Sequence, residues 1–201
     1  MNIIEIKNKD INKAAEILAL SFKDDPIFRY IFKTREKYLQ LAPWMFSTWV
    51  RWAMLFGKAW MTEDGNSVLL MRAFGKSEMS LWTMIRAGML LTPVKLGAGA
   101  FWRFYFEIVN LLDKKHNEIM GNQPHWYGWM LGVNPVNKGI GRVLLKYCFD
   151  SADKKQLPVF LETSIDRNVQ LYNYSEFEVK DKVFVNKGKF TLYFMVRQPK
   201  N

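Results

Sequence analysis

A single cysteine, Cys148, stands among the 201 residues, so no internal disulfide can form, and a reducing compartment suits such a chain. Only two histidines accompany it, His116 and His125, too few to build a Cys/His metal centre; no metal is expected. No apolar run reaches the ~20 residues that a bilayer span requires. The longest apolar region, from Leu81 to Leu112, is interrupted by Arg86, Pro93, Lys95, Arg103 and Glu107. The opening MNIIEIKNKDINKAAEILAL carries acids early and has no apolar core followed by a small-residue cleavage site, so it is not read as a signal peptide. A cytoplasmic location is expected. Acidic residues are outnumbered, 19 against 29 Lys and Arg, which leaves a net charge of +10. That balance favours an anionic partner: nucleic acid, a membrane surface or a phosphorylated small molecule. Basic residues do not interleave regularly with aromatics, so neither nucleic acid nor membrane is the expected partner.

Half of the chain is apolar and 15% is aromatic, which excludes a disordered chain. The length fits one domain with a sizeable core. There is no internal repeat, low-complexity tract or linker. IIEIK reads as a first strand, and Asp10 is placed to cap a helix whose Ile11, Ala14, Ile17, Leu18 and Phe22 share one face. Pro26 opens a further turn, and Tyr38 to Phe56 has helical spacing. KAWMTEDGNSVLLMRAF reads as a hairpin turning at Asp64-Gly65. Ser80 to Ile119 reads as one or two amphipathic helices separated near Pro93 and Gly97. A strand from Trp126 to Val133 follows, then a helix from about Gly141 to Ala152, the strand LPVFLETS and a short helix from Arg167 to Ser175. The chain closes with a hairpin around Lys187-Gly188.

The stretch VNPVNKGIGRVLL hands a strand over to a helix through Gly139 and Gly141, flanked by Lys138 and Arg142. The first amides of a helix lack intrahelical partners, and glycine lets a phosphate come close to them. The bland alternative is a tight turn that binds nothing. A dinucleotide fingerprint would need a third glycine where Leu144 stands, although Glu162 lies near the distance at which that fingerprint carries an acid. In LETS, Val159, Leu161 and Thr163 point to one face while Phe160, Glu162 and Ser164 point to the other. A carboxylate inside an apolar strand is costly unless it is solvated or paired. Asn168 begins the next helix and Tyr172 follows four residues on, on the same face.

Taken in order, HWYGWMLGVNP, GIGRVLL, LETS and NVQLYNYSEFEV resemble the GNAT superfamily of N-acetyltransferases, specifically its branch with HWY…LGVxP and LETS…NVxxY. The resemblance is good from His125 to Val179 and weaker over the N-terminal strand, the first helix and DDPIFRYIF. It implies an α/β (α+β) fold with a mixed, V-shaped sheet of about seven strands flanked by helices. One domain would fill residues 1–201, with an acceptor-site half and its helical insertion in 1–120 and an acetyl-CoA-binding half in 121–201. The resemblance implies acetyl-CoA in the split of the V. The arm would run along the backbone of Leu131, Gly132 and Val133, and the pyrophosphate would sit in the loop of Lys138, Gly139, Ile140, Gly141 and Arg142. Asn168 would touch the arm, and Tyr172 would face the sulfur. The family pattern Q/R-x-x-G-x-G/A would put Gln or Arg where Val136 stands, and Glu176 replaces the glycine usual before the phenylalanine.

Acetyl transfer to a primary amine needs the amine deprotonated, since an ammonium of pKa ~10.4 cannot attack. Glu162 is the candidate general base and Tyr172 the candidate general acid toward the leaving thiolate. His125 falls at the start of a strand and is a weaker candidate. Asp24 and Asp25 are candidates for attracting a cationic acceptor, though carboxylates at a helix end are also ordinary. A small-molecule amine is the expected acceptor, and a homodimer is left open. A CoA-binding domain without catalysis is the alternative, followed by a binder of anionic polymers or membranes.

Overall fold

The computed structural model describes residues 2–73, 79–137 and 139–200. Strands β1 (Ile3–Glu5), β2 (Gly57–Thr62), β3 (Ser67–Ala73), β4 (Trp126–Val133), β5 (Val159–Thr163), β6 (Phe177–Val185) and β7 (Phe190–Arg197) form one sheet in the order β1-β2-β3-β4-β5-β7-β6. All pairings are antiparallel except that of β4 with β5. The sheet is therefore the expected mixed one. Its seven strands are flanked by helices on both faces, each face with its own core.

One face carries α1 (Ile11–Ser21), α2 (Pro26–Phe32) and α3 (Arg35–Phe56). The apolar stripe of α1 buries Ala14, Ile17 and Leu18, as its spacing predicts. Trp49 and Trp52 of α3 are buried, and Trp129 of β4 packs against both at ring-centroid distances of 5.6 and 5.5 Å. Pro26 begins α2, and the Asp25 carboxylate accepts the Ile27 amide at 2.8 Å, which supplies one of the bonds a helix start lacks. Asp10 does not cap α1. Its carboxylate accepts the Lys7 amide at 3.1 Å and so closes the preceding 3₁₀ turn instead.

The opposite face carries α8 (Gly141–Asp153), which sets Leu144, Leu145, Cys148 and Ala152 against Leu69, Met71, Val159 and Leu161. The short α9 (Asp166–Asn173) follows β5. The middle of the chain is more broken than one or two helices. It forms α4 (Leu81–Arg86), α5 (Thr92–Leu96), α6 (Ala98–Trp102), a π-helical segment Arg103–Val109 and α7 (Asn110–Met120). The breaks fall near Pro93 and Gly97 as expected: Pro93 lies in the first turn of α5, and Gly97, at φ +73°, separates α5 from α6. Arg103 of the π-helical segment donates to the Ile31 carbonyl at 2.6 and 3.0 Å, and Tyr30 donates to Glu107, so this region is tied to α2.

The feature that creates a site is where β4 leaves β5. Their parallel pairing covers three pairs: Trp126 with Val159, Tyr127 with Phe160, and Gly128 with Leu161. Beyond it β4 stays with β3 as far as Val133, while β5 stays with β7 as far as Thr163. The parting begins at a bulge, since Leu70 faces Met130 but Met71 faces Gly128, leaving Trp129 as the extra residue. A bulge bends its strand and increases the local twist, which turns β4 away from its parallel neighbour.

Candidate active site

A cavity of about 730 Å³ runs through the parting and draws its lining from both faces of the sheet. Leu131, Leu145 and Cys148 line it on the side of α8, and Phe28, Trp49 and Phe104 on the other. Glu162, Ser164 and Tyr172 stand between.

Glu162 follows the last β5 residue paired with β4, so its side chain enters the gap. It shares the face of Phe160, as strand alternation requires. The Tyr127 hydroxyl donates to Glu162 Oε1 at 2.7 Å, whereas Oε2 is buried with no hydrogen-bond partner. Burial pushes the Glu162 pKa up to about 7, although the Tyr127 hydrogen bond and the Arg72 charge both oppose the rise. Arg72, buried on β3, lies over the Tyr127 ring at 4.9 Å and near those of Trp52 and Trp129 at 5.7 and 5.9 Å. A carboxylate that is half ionised near neutrality and has one unengaged oxygen in a cavity is equipped to take a proton.

Tyr172 projects from α9 with its ring 5.5 Å from that of Phe177. Its hydroxyl has no hydrogen-bond partner among the described residues, and burial, followed by the nearby Glu162 charge, pushes its pKa up to about 12. The phenol is therefore protonated at any working pH. Asn168, one turn earlier, donates to Thr163 Oγ1 at 3.4 Å and also lines the cavity.

On β4, Asn134 donates to the Asn66 carbonyl at 2.8 Å, on the β3 side. By the alternation of an antiparallel ladder, Gly132 faces β3 as well, while Leu131 and Val133 turn their backbone groups toward the gap. The Val133 amide is held by Ser21 Oγ at 3.1 Å. Leu131 thus offers the amide that the gap leaves over. At the start of α8, Gly139 has φ +89° with open space around it, and Ile140 makes no side-chain cap. A Cβ on Gly141 would lie 2.8 Å from Val133 Cγ2, so glycine lets the first turn of α8 sit directly on the end of β4. Arg142 is exposed and makes no ion pair among the described residues; Lys138 lies outside them.

The two aspartates part company. Asp25 is buried at the cavity, with Oδ2 accepting the Ser164 hydroxyl at 2.9 Å, and burial raises its pKa. Asp24 is exposed and pairs with Arg29 at 2.8 Å, away from the cavity.

Ionisable lining residues that the sequence did not mark as candidates include Arg72, Asp113, His116 and Tyr127. His116 Nε2 lies 2.7 Å from His125 Nε2, and His125 Nδ1 lies 2.6 Å from the Gln123 carbonyl. A carbonyl only accepts, so His125 donates from Nδ1, and its Nε2 accepts the proton of His116. Burial, then the neighbouring His125, pushes the His116 pKa down to about 4, so both rings sit neutral. Asp113, on α7, opens to the lumen, and the surrounding protein raises its pKa by desolvation. The register pairs Tyr127 with Phe160, two residues before Glu162 on the same face, and this non-local pairing rather than any local pattern brings Tyr127 to Glu162.

No family model matches the chain. An uncharacterized N-acetyltransferase of Schizosaccharomyces pombe is 27% identical over 202 residues, covering 96% of this chain and 82% of the relative. A Corynebacterium glutamicum structure, described as histone acetyltransferase HPA2 and related acetyltransferase, superposes with a TM-score of 0.68 at 16% identity. It covers 100% of this chain and 97% of its own. Arylalkylamine N-acetyltransferase 2 of Aedes aegypti superposes with a TM-score of 0.67 at 12% identity, covering 99% of both chains. The chain has the fold of the GNAT acetyltransferases. Together with the similarity to the Schizosaccharomyces N-acetyltransferase, this bears out the resemblance to N-acetyltransferases.

Proposed function

We propose that the protein transfers an acetyl group from acetyl-CoA to the primary amine of a small acceptor with an apolar body. The observation that carries the reading is the parting of β4 and β5 with Glu162 in the gap, one oxygen buried and unengaged. The donor's arm would lie along the Leu131 amide, and its pyrophosphate would meet the start of α8 at Gly139 and Gly141, with Arg142 adding charge and Asn168 bordering the arm. The acceptor would approach from the side of Phe28, Trp49 and Phe104, where Asp25 and Asp113 favour a cation.

Glu162, ionised in about half of the molecules near pH 7, takes a proton from the ammonium. The free amine attacks the thioester carbonyl. The backbone of Trp129, which the register of β4 against β3 skips, is the candidate donor to the oxyanion that forms. As the carbon–sulfur bond breaks, the Tyr172 phenol donates a hydrogen bond to the leaving sulfur. A thiol, at ~8.5, is a stronger acid than this phenol. Tyr172 therefore stabilises the thiolate more than it transfers its proton outright; the nitrogen sheds its second proton to solvent as the amide forms, and solvent protonates the thiolate.

The test is release of free thiol from acetyl-CoA over a panel of apolar and polar primary amines. Cys148, whose thiol burial pushes up to about 12, leaves the thiol reagent to read the released CoA. Glu162→Gln is expected to lower kcat by ~10²-fold or more with CoA affinity unchanged, and Tyr172→Phe by about tenfold to 10²-fold. The parent's kcat/KM should rise with pH through about 7 as Glu162 ionises. Unchanged turnover in both variants would remove this mechanism, and CoA binding without transfer to any amine would leave a binding domain only.

A further inference from the structure

We infer that the outer face of residues 81–106 docks on an anionic lipid bilayer. This stretch exposes large apolar side chains in three consecutive groups. Leu81, Trp82 and Ile85 come from α4, with Leu81 at 68% and Trp82 at 65% exposure. Leu90, Leu91 and Val94 come from the turn into α5 and from α5 itself, Val94 at 80%. Trp102, Tyr105 and Phe106 come from α6 and the π-helical segment, where the Trp102 and Phe106 rings lie 4.5 Å apart. Single exposed hydrophobes are ordinary, but this many within one short stretch mark a contact surface.

The same stretch is also buried on its inner side, through Ala87, Met89, Leu96 and Ala100. Elements that are apolar on both sides call for cover on both sides. The protein covers one: α4 and α5 lie on α3, and α6 and the π-helical segment lie on α2.

Charge selects the other cover. Between residues 79 and 106 the ionisable side chains are Arg86, Lys95, Arg103 and Tyr105, with no acid among them. The Arg86 guanidinium lies over the Phe56 ring at 5.7 Å and the Lys95 ammonium over that of Trp44 at 5.8 Å, and both residues are exposed, which leaves each charge within reach of a headgroup. A second copy on this face would set cation against cation. An anionic bilayer answers both the apolar groups and the basic ones, and the whole chain carries +10. Among the described residues no helix is long and apolar enough to cross a membrane, so the contact lies in the interface plane. Leu90 and Tyr105 belong both to the exposed face and to the cavity lining, so the cavity opens beside the lipid.

Full-length protein would be sedimented with vesicles of phosphatidylcholine alone and of phosphatidylcholine with phosphatidylglycerol at about 2:1. Binding to the anionic vesicles that weakens with salt is expected. The Trp82→Ser, Val94→Ser, Trp102→Ser triple variant should lose affinity by about tenfold or more, with unchanged circular dichroism. Brominated acyl chains should quench the parent's tryptophan fluorescence and quench that of the variant less. Three results would overturn the assignment. One is absence of binding to either vesicle. Another is equal binding by the triple variant, which would mean diffuse adsorption through charge elsewhere. The third is a dimer, or a complex with an acidic protein, that the same substitutions abolish while vesicles go unbound.

Discussion

At the residue scale, two buried groups pull the pH dependence of stability in opposite directions. Glu162 titrates at about 7 in the fold against ~4.3 for an unperturbed glutamate. Between those values the folded protein keeps a proton that the unfolded chain releases, so this contribution falls as pH rises toward 7 and is level above it. His116, pushed down to about 4 from 6.5, behaves in the reverse sense. The unfolded chain takes the proton first, so stability is lost as pH drops from 6.5 to 4. Between pH ~5 and ~6.5 the two offset each other. Glu162→Gln removes only the first, and a glutamine oxygen can still accept the Tyr127 hydroxyl. Thermal melts should show the variant more stable than the parent by a few degrees at pH 8 and nearly equal to it close to pH 4.5. A variant melting at or below the parent at pH 8 would mean that the carboxylate pays no penalty for ionising there.

At the scale of elements, the glycines that open α8 differ in what they permit. Gly139 has room for a Cβ but an unfavourable φ for one, so Gly139→Ala should cost stability by ~1 kcal/mol through backbone strain. Gly141→Val, by contrast, drives a branched side chain into Val133 and lifts α8 off β4. Calorimetric titration with CoA should find affinity weakened by Gly141→Val well beyond the effect of Gly139→Ala. The boundaries of β4, α8 and β5 were legible because each is a strong local pattern: an apolar strand, a glycine turn, an amphipathic face. The segment from Leu81 to Met120 was not. Its first three helices are only five or six residues long and largely apolar, so no periodicity separates them from one another or from the π-helical segment that runs into the charged α7. Asp10 was misjudged because two acceptable uses of its carboxylate lie three residues apart. The partners of Glu162 are non-local: Tyr127 is 35 residues away and Arg72 is on a third strand, so only the sheet register brings them together.

At the scale of the molecule, the backbone of β4 past the bulge has one neighbour where a central strand normally has two. Its Leu131 amide, turned to the gap, should exchange with solvent faster than that of Gly132, which faces β3. Hydrogen exchange followed with and without CoA should slow at Leu131 and stay nearly constant at Gly132; no change at Leu131 would place the ligand elsewhere. Four strands lie on one side of the parting and three on the other, and the direct bonding between them is the three-pair register ending at Gly128 and Leu161. Whatever lodges in that opening acts as a suture between the two wings of the molecule. A bound guest should therefore stiffen the whole body, and its departure should restore a crease along which the wings can flex.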